Sequence, residues 1–126
     1  MLSLVATHLA QSATCNVVSH AEGCGGYSRV VFNPTGGKYF ATAEECFLMA
    51  RSDTTQCNTH THPYISWNSN PAYNNHNPNL SPQVGDCSCG FAQTTGCTPG
   101  GWQTYPASDV YSCVLNYPPP PPPNPS

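Results

Sequence analysis

The chain has 126 residues, the size of one domain, and a net charge of −3 from three cationic and six acidic side chains, so that only 7% of it is charged. Ordinary soluble domains carry roughly 25%, so this surface must be wetted by Asn, Ser, Thr, Gln and backbone groups, as in proteins that work outside the cell. Three cations make no basic footprint, which excludes nucleic acid and an anionic membrane surface as expected partners, and no apolar stretch is long enough for membrane insertion.

In chain order, Met1–Ala13 has small residues at its end, like a signal peptide, but lacks a positive start and a long apolar stretch. It is read as a short helix or strand packing on the domain, in a chain whose Met1 is retained or lies inside a longer protein. Arg29–Phe32 is β-branched and aromatic, a strand, and Asn33-Pro34-Thr35-Gly36-Gly37 is a turn after it. Lys38–Phe40 is expected to return as its hairpin partner. Ala43–Arg51 is the clearest helix. Thr42 is its N-cap, Glu45 completes a capping box, and Glu44 and Arg51 match the two ends of the dipole. Cys46, Met49 and Ala50 share one face, predicted to be buried, with Phe47 at its border.

Tyr64–Trp67 is a further strand. Asn68–Gln83, rich in Asn and Pro, cannot bury apolar area and is read as an exposed loop carrying Asn79-Leu80-Ser81, the only open N-glycosylation sequon. Asp86–Cys89 and Val110–Leu115 complete the strands. The fold class expected is a small disulfide-rich α+β domain: a short antiparallel sheet with one helix packed across it, loop-rich, with a polyproline II tail. Six consecutive prolines, Pro118, Pro119, Pro120, Pro121, Pro122 and Pro123, predict that rod. The divisions are an N-terminal segment at 1–14, a disulfide-rich module at 15–116 and a proline-rich tail at 117–126.

Cys15, Cys24, Cys46, Cys57, Cys87, Cys89, Cys97 and Cys113 are even in number and spread over the whole module, and the paired Cys-x-x-Cys of a zinc knuckle is absent. They read as four disulfides with open connectivity. If Cys87 and Cys89 are extended they project to one face, and a bridge directly between them is strained. Each should therefore reach a different partner, with Cys46 on the helix a natural choice for either.

The capped helix Thr42–Ala50 with Cys46, the strand Tyr64-Ile65-Ser66-Trp67 and the element Gly85-Asp86-Cys87-Ser88-Cys89-Gly90 together resemble WSC domains, eight-cysteine extracellular modules, and in arrangement the apple/PAN modules. The resemblance covers Cys15 to Cys113 and implies binding of carbohydrate or protein without catalysis. It departs from a WSC module in the long Asn/Pro loop and in the spacing after Cys89. The proline tail is similar to the hydroxyproline-rich glycoproteins of green algae and plants, which form walls, matrix and flagellar hairs. That likeness implies hydroxylation and O-glycosylation of Pro118–Pro123.

Among candidate sites, His60-Thr61-His62 would place two imidazoles on one side of an extended segment, a weak metal motif with no third ligand at a recognisable spacing. No cofactor is expected. Catalysis is not expected either: no Gly-x-Ser-x-Gly element is present, and Glu44 and Glu45 are explained by capping. Aromatic residues on or beside loops, Trp67, Tyr73, Trp102 and Tyr105, are candidate platforms for a sugar ring, although a small domain would also use Trp67 as core. The sequence thus points to a structural module of an extracellular glycoprotein that assembles into a matrix, wall or filament. Its partners would be other copies or other extracellular glycoproteins, and its modifications covalent glycans. A carbohydrate-binding module is the alternative.

Overall fold

The computed structural model describes residues 11–73 and 83–116. Five strands, β1 (Ser12–Gly23), β2 (Ser28–Val31), β3 (Tyr64–Trp67), β4 (Cys87–Gly90) and β5 (Gln103–Asn116), form one antiparallel sheet in the order β1-β5-β3-β4-β2. Among the described residues one α-helix, α1 (Ala43–Ser52), packs across a single face of it. The expected disulfide-rich α+β class is therefore present. The polyproline tail and the Asn79 sequon lie outside the described residues.

The helix begins where the sequence places it. Thr42 is extended, and its hydroxyl accepts from the Glu45 amide at 3.1 Å, while the Glu45 carboxylate accepts from the Ala41 amide at 3.2 Å. A helix of ten residues is too short to persist alone in water, so its burial and its disulfide hold it. Ala43, Cys46, Phe47 and Ala50 are the buried stripe. Phe47, at 2% exposure, belongs to the core and Met49 sits at its margin, the reverse of the order the sequence suggested. The N-terminus of α1 lies against β1, where Glu44 accepts from the Cys15 amide at 3.2 Å.

Register decides which side chains meet the helix. Cys89 faces Ile65 and Cys87 faces Trp67 across β4–β3, while Ile65 faces Tyr111 across β3–β5. Because strand side chains alternate, these residues share the helix side, and Ser66, Ser88, Val110 and Ser112 share the opposite side. All eight cysteines pair: Cys15–Cys113, Cys24–Cys97, Cys46–Cys87 and Cys57–Cys89. Cys87 and Cys89 do take different partners, and Cys46 is one of them.

Two elements depart from the sequence reading. Lys38–Phe40 is not a strand, and the Asn33–Gly37 turn does not close a hairpin; β2 pairs with β4 instead. The helix starts over β1, at the far side of the sheet, so the chain must leave the β2 edge at once, and Phe40 drops into the core at 4% exposure. The second departure is β1, which the sequence did not suggest as a strand, and the length of β5, expected only over Val110–Leu115. Most of β1 is exposed and it is an edge strand, so its sequence carries little alternation. Its pairing with β5 is interrupted between His20 and Glu22, where Tyr105–Ser108 bulge out opposite Ala21. Pro106 falls in that gap, where no ladder hydrogen bond is required of it. Asp109 closes the break by accepting from the Ala21 amide at 2.9 Å and the Ser69 hydroxyl at 2.8 Å.

Candidate functional site: a polar cleft and an apolar groove

Two concave surfaces flank this framework. The first is a polar cleft of about 260 Å³ on the sheet face away from the helix. Ser66 and Ser88, cross-strand partners in β3 and β4, are part of its lining together with Val30 of the neighbouring β2. Gly23–Gly25 and Gln103–Tyr105, the segment of β1 and β5 beyond the bulge, line it as well. A close backbone approach fixes that side: a Cβ on Gly25 would sit 2.3 Å from the Gly101 carbonyl oxygen, and Gly25 itself has φ +77°.

Asn68 and Asp86 line the same cleft, and they also hold the neck of the long loop. The Asn68 amide group donates to the Gln83 carbonyl at 2.8 Å, and the Asn68 backbone exchanges bonds with Gly85 and Asp86 at 2.7 and 2.9 Å. Burial pushes the Asp86 carboxyl above the usual carboxylate range, against the opposing pull of the Gln83 amide and the Lys38 charge.

The second surface is an apolar groove of about 430 Å³ between the outer flank of α1 and the connection from β2. Leu48 and Met49 of the helix face Pro34, Tyr39 and Phe40 of that connection, and among the described residues Glu45 is the one charged residue lining it. Asn33 makes the connection rigid. Its side-chain oxygen accepts from the amides of Thr35 and Gly37 at 3.0 and 2.9 Å, and its amide group donates to the Tyr39 carbonyl at 3.0 Å. The Phe40 amide donates to the Gly85 carbonyl at 2.9 Å. Tyr39 is thereby held with 60% of its surface exposed.

The four aromatic candidates do not form one platform. Tyr105 lines the polar cleft. Trp67 belongs to the core margin: its indole N–H donates to the Phe40 carbonyl at 3.0 Å and its ring meets Tyr111 edge-on at 6.2 Å. Trp102 is half-buried against Tyr64 at 5.6 Å, with its indole nitrogen enclosed and no partner for it among the described residues. Tyr73 closes the 3-10 turn Pro71–Tyr73 and accepts from the Val84 amide at 3.3 Å.

His60 and His62 lie in a turn closed by the amides of Thr61 and His62 on the Asn58 carbonyl, so the extended geometry that would aim both rings one way is absent. The His60 ring lies against the Arg51 guanidinium, and the His62 ring bonds Thr61 at 2.9 Å. Among the described residues no three His, Cys, Asp or Glu side chains gather as a metal site.

Sequence reasoning missed Ser66, Ser88 and Gln103 in the cleft, and Tyr39, Leu48 and Met49 in the groove. The signal for Ser66 and Ser88 was a polar residue between two apolar ones in each of β3 and β4. For the second set it was apolar residues outside the helix's buried stripe. No protein-family model matches the chain, and neither a curated protein nor a solved structure matches it. The WSC- and PAN-like resemblance therefore rests on its motifs alone. Among the described residues no helix is long and apolar enough to cross a membrane.

Proposed function

We propose that this chain is a non-catalytic structural module of an extracellular glycoprotein, one that assembles into a matrix, wall or filament, with the proline run as a stiff connector. The observation that carries this reading is the staple pattern. The bridges join first strand to last, helix to sheet, the α1–β3 connection to β4 and the β4–β5 connection to Cys24 just past the end of β1, and no cysteine is left unpaired. Such a framework persists in an oxidising compartment and suits a globule that must keep its shape under load. The carboxylates beside the cysteines and the bulge are committed to backbone amides: Glu44 to Cys15, Glu45 to Ala41 and Asp109 to Ala21.

The test is intact mass of native-source protein under non-reducing conditions, with glycopeptide mapping of Tyr117–Ser126. A mass eight hydrogens below the reduced polypeptide, one pair for each of the four bridges, with hydroxyl and sugar increments on Pro118–Pro123, supports the reading. Free thiols with bound zinc overturn it.

A second reading, a carbohydrate-binding module, is favoured by the polar cleft. Its volume suits one sugar ring, Ser66, Ser88, Asn68 and Gln103 bring hydroxyl and amide groups, Asp86 brings a carboxyl, and Tyr105 presents an apolar ring. Amide chemical shifts at Ser66, Ser88 and Gln103 on titration with galactose and arabinose support this reading; silence at those positions rejects it.

A further inference from the structure

We propose that the polar cleft takes a neutral pyranose and turns away acidic sugars, and that Asp86 is the residue that makes the distinction. The inference rests on the carbohydrate-binding reading and names the class of sugar that site holds. Three observations carry it. The first is the shape of the floor. Ser66 stands directly opposite Ser88 across β3–β4, and the Asn68 amide, bonded to the Asp86 carbonyl at 2.9 Å, carries the register one pair beyond Trp67 and Cys87. Because strand side chains alternate, Ser66, Ser88, Asn68 and Asp86 share one face, and all four line the cleft. Cross-strand Cβ atoms lie about 5 Å apart and residues two apart along a strand about 7 Å. Four polar groups thus mark the corners of a patch the size of one pyranose ring.

The second observation is what those groups offer. Serine hydroxyls both donate and accept, whereas a carboxylate only accepts. The Gln83 amide donates to Asp86 Oδ2 at 3.2 Å and so fixes the orientation of the carboxylate. A hydroxyl of the ligand can donate to it; a carboxylate of the ligand cannot. At the rim the Tyr105 ring lies over Gly23, where a Cβ would come within 3.4 Å of it. An apolar face is thereby held ready for the C–H side of a sugar ring.

The third observation is where the cations are. The chain has three Lys and Arg residues, Arg29, Lys38 and Arg51, and none of them lines the cleft. Arg29 stands opposite Cys89 and lines a hollow on the helix side of the sheet. Arg51 lies against the His60 ring. Lys38 is exposed and lines a separate hollow that shares only Asp86 with the cleft. An anionic ligand therefore meets the Asp86 charge with no cation in the cleft to offset it. A ligand carboxylate held about 6 Å from Asp86, at an effective dielectric of about 20 and with allowance for solvent screening, binds at least about tenfold more weakly than the matching alcohol.

The test compares methyl galactoside with methyl galacturonide, which carries a carboxylate in place of the hydroxymethyl group, and with the methyl ester of that acid, which keeps the bulk without the charge. The corresponding glucose series is run alongside. Each sugar is titrated at neutral pH into the full chain and into Asp86→Asn, which keeps an oxygen to accept from the Gln83 amide. Backbone amide shifts are followed at Ser66, Ser88 and Gln103. The expected result is a neutral glycoside bound at least about tenfold more tightly than its acid, an ester within about threefold of the glycoside, and a variant that brings the acid within about threefold as well. A cleft that binds the acid as tightly as the neutral glycoside overturns the exclusion and leaves the carbohydrate reading standing. An exclusion that persists in Asp86→Asn, or that extends to the ester, is steric and overturns the role of Asp86. Amides that ignore both series overturn the carbohydrate reading and this inference together.

Discussion

Replacing Cys46 and Cys87 together by Ala isolates what holds the helix on the sheet. Both residues are fully buried, and their bridge closes 41 residues of chain. Because the Cys57–Cys89 bridge remains, the loop it closes in the unfolded chain runs only through residues 46–57 and 87–89, and restricting it is worth about 3 kcal/mol in the chain-entropy model. Removing two buried sulfur atoms adds roughly 1 kcal/mol each through lost burial and imperfect collapse. The expected loss is about 5 kcal/mol, comparable to the whole stability of the less stable domains, which is about 5–15 kcal/mol.

The assay is guanidinium unfolding followed by tryptophan fluorescence, since Trp67 stands opposite Cys87. The bridge-free denatured chain is more open, so m should rise, and the comparison is made on the extrapolated free energy. Hydrogen exchange at Phe47 and Leu48 should also pass from global to local opening, because ten residues of helix do not persist unaided. A loss below about 2 kcal/mol, with the helix amides still protected at the global level, would refute the view that this bridge anchors the helix.

Three further outcomes follow from the same structure. Thr42→Ala removes the acceptor for the Glu45 amide and should lower stability by about 1 kcal/mol in thermal or chemical unfolding. Gly90→Ala places a Cβ 2.1 Å from the Gly96 carbonyl oxygen, a backbone atom that cannot swing aside, and should cost at least about 2–3 kcal/mol; Gly26→Ala, with no neighbouring atoms, should be close to neutral. Asp86→Asn tests the burial of that carboxyl. Its folded pKa lies above the unfolded value, so the folded state binds the proton more tightly and its ionisation opposes folding at neutral pH. The variant should therefore be the more stable at pH 7. Its advantage should shrink as pH falls through the raised folded pKa towards the ordinary carboxylate range, and a gap that widens on acidification would contradict the burial argument.

The sequence by itself determined the features that rest on local chemistry. The Thr42 cap, with Glu45 three residues on, set the start of α1, the run Tyr64–Trp67 read as a strand without reference to anything distant, and the Cys87-Ser88-Cys89 spacing sent two sulfurs to one face and so to different partners. Tertiary structure alone decided the rest, because it depends on residues far apart in the chain. Cysteine pairing depended on register, and β2 joined β4 in place of its expected hairpin partner because the helix it precedes begins across the sheet over β1. An exposed edge strand with a bulged partner leaves no alternation to read, so β1 and the first half of β5 were silent. The candidate surfaces were silent for the same reason: the cleft joins β1, β2, β3, β4 and β5, and the groove joins a loop to a helix flank. Both are products of how the elements are stacked, and no short stretch of sequence contains either.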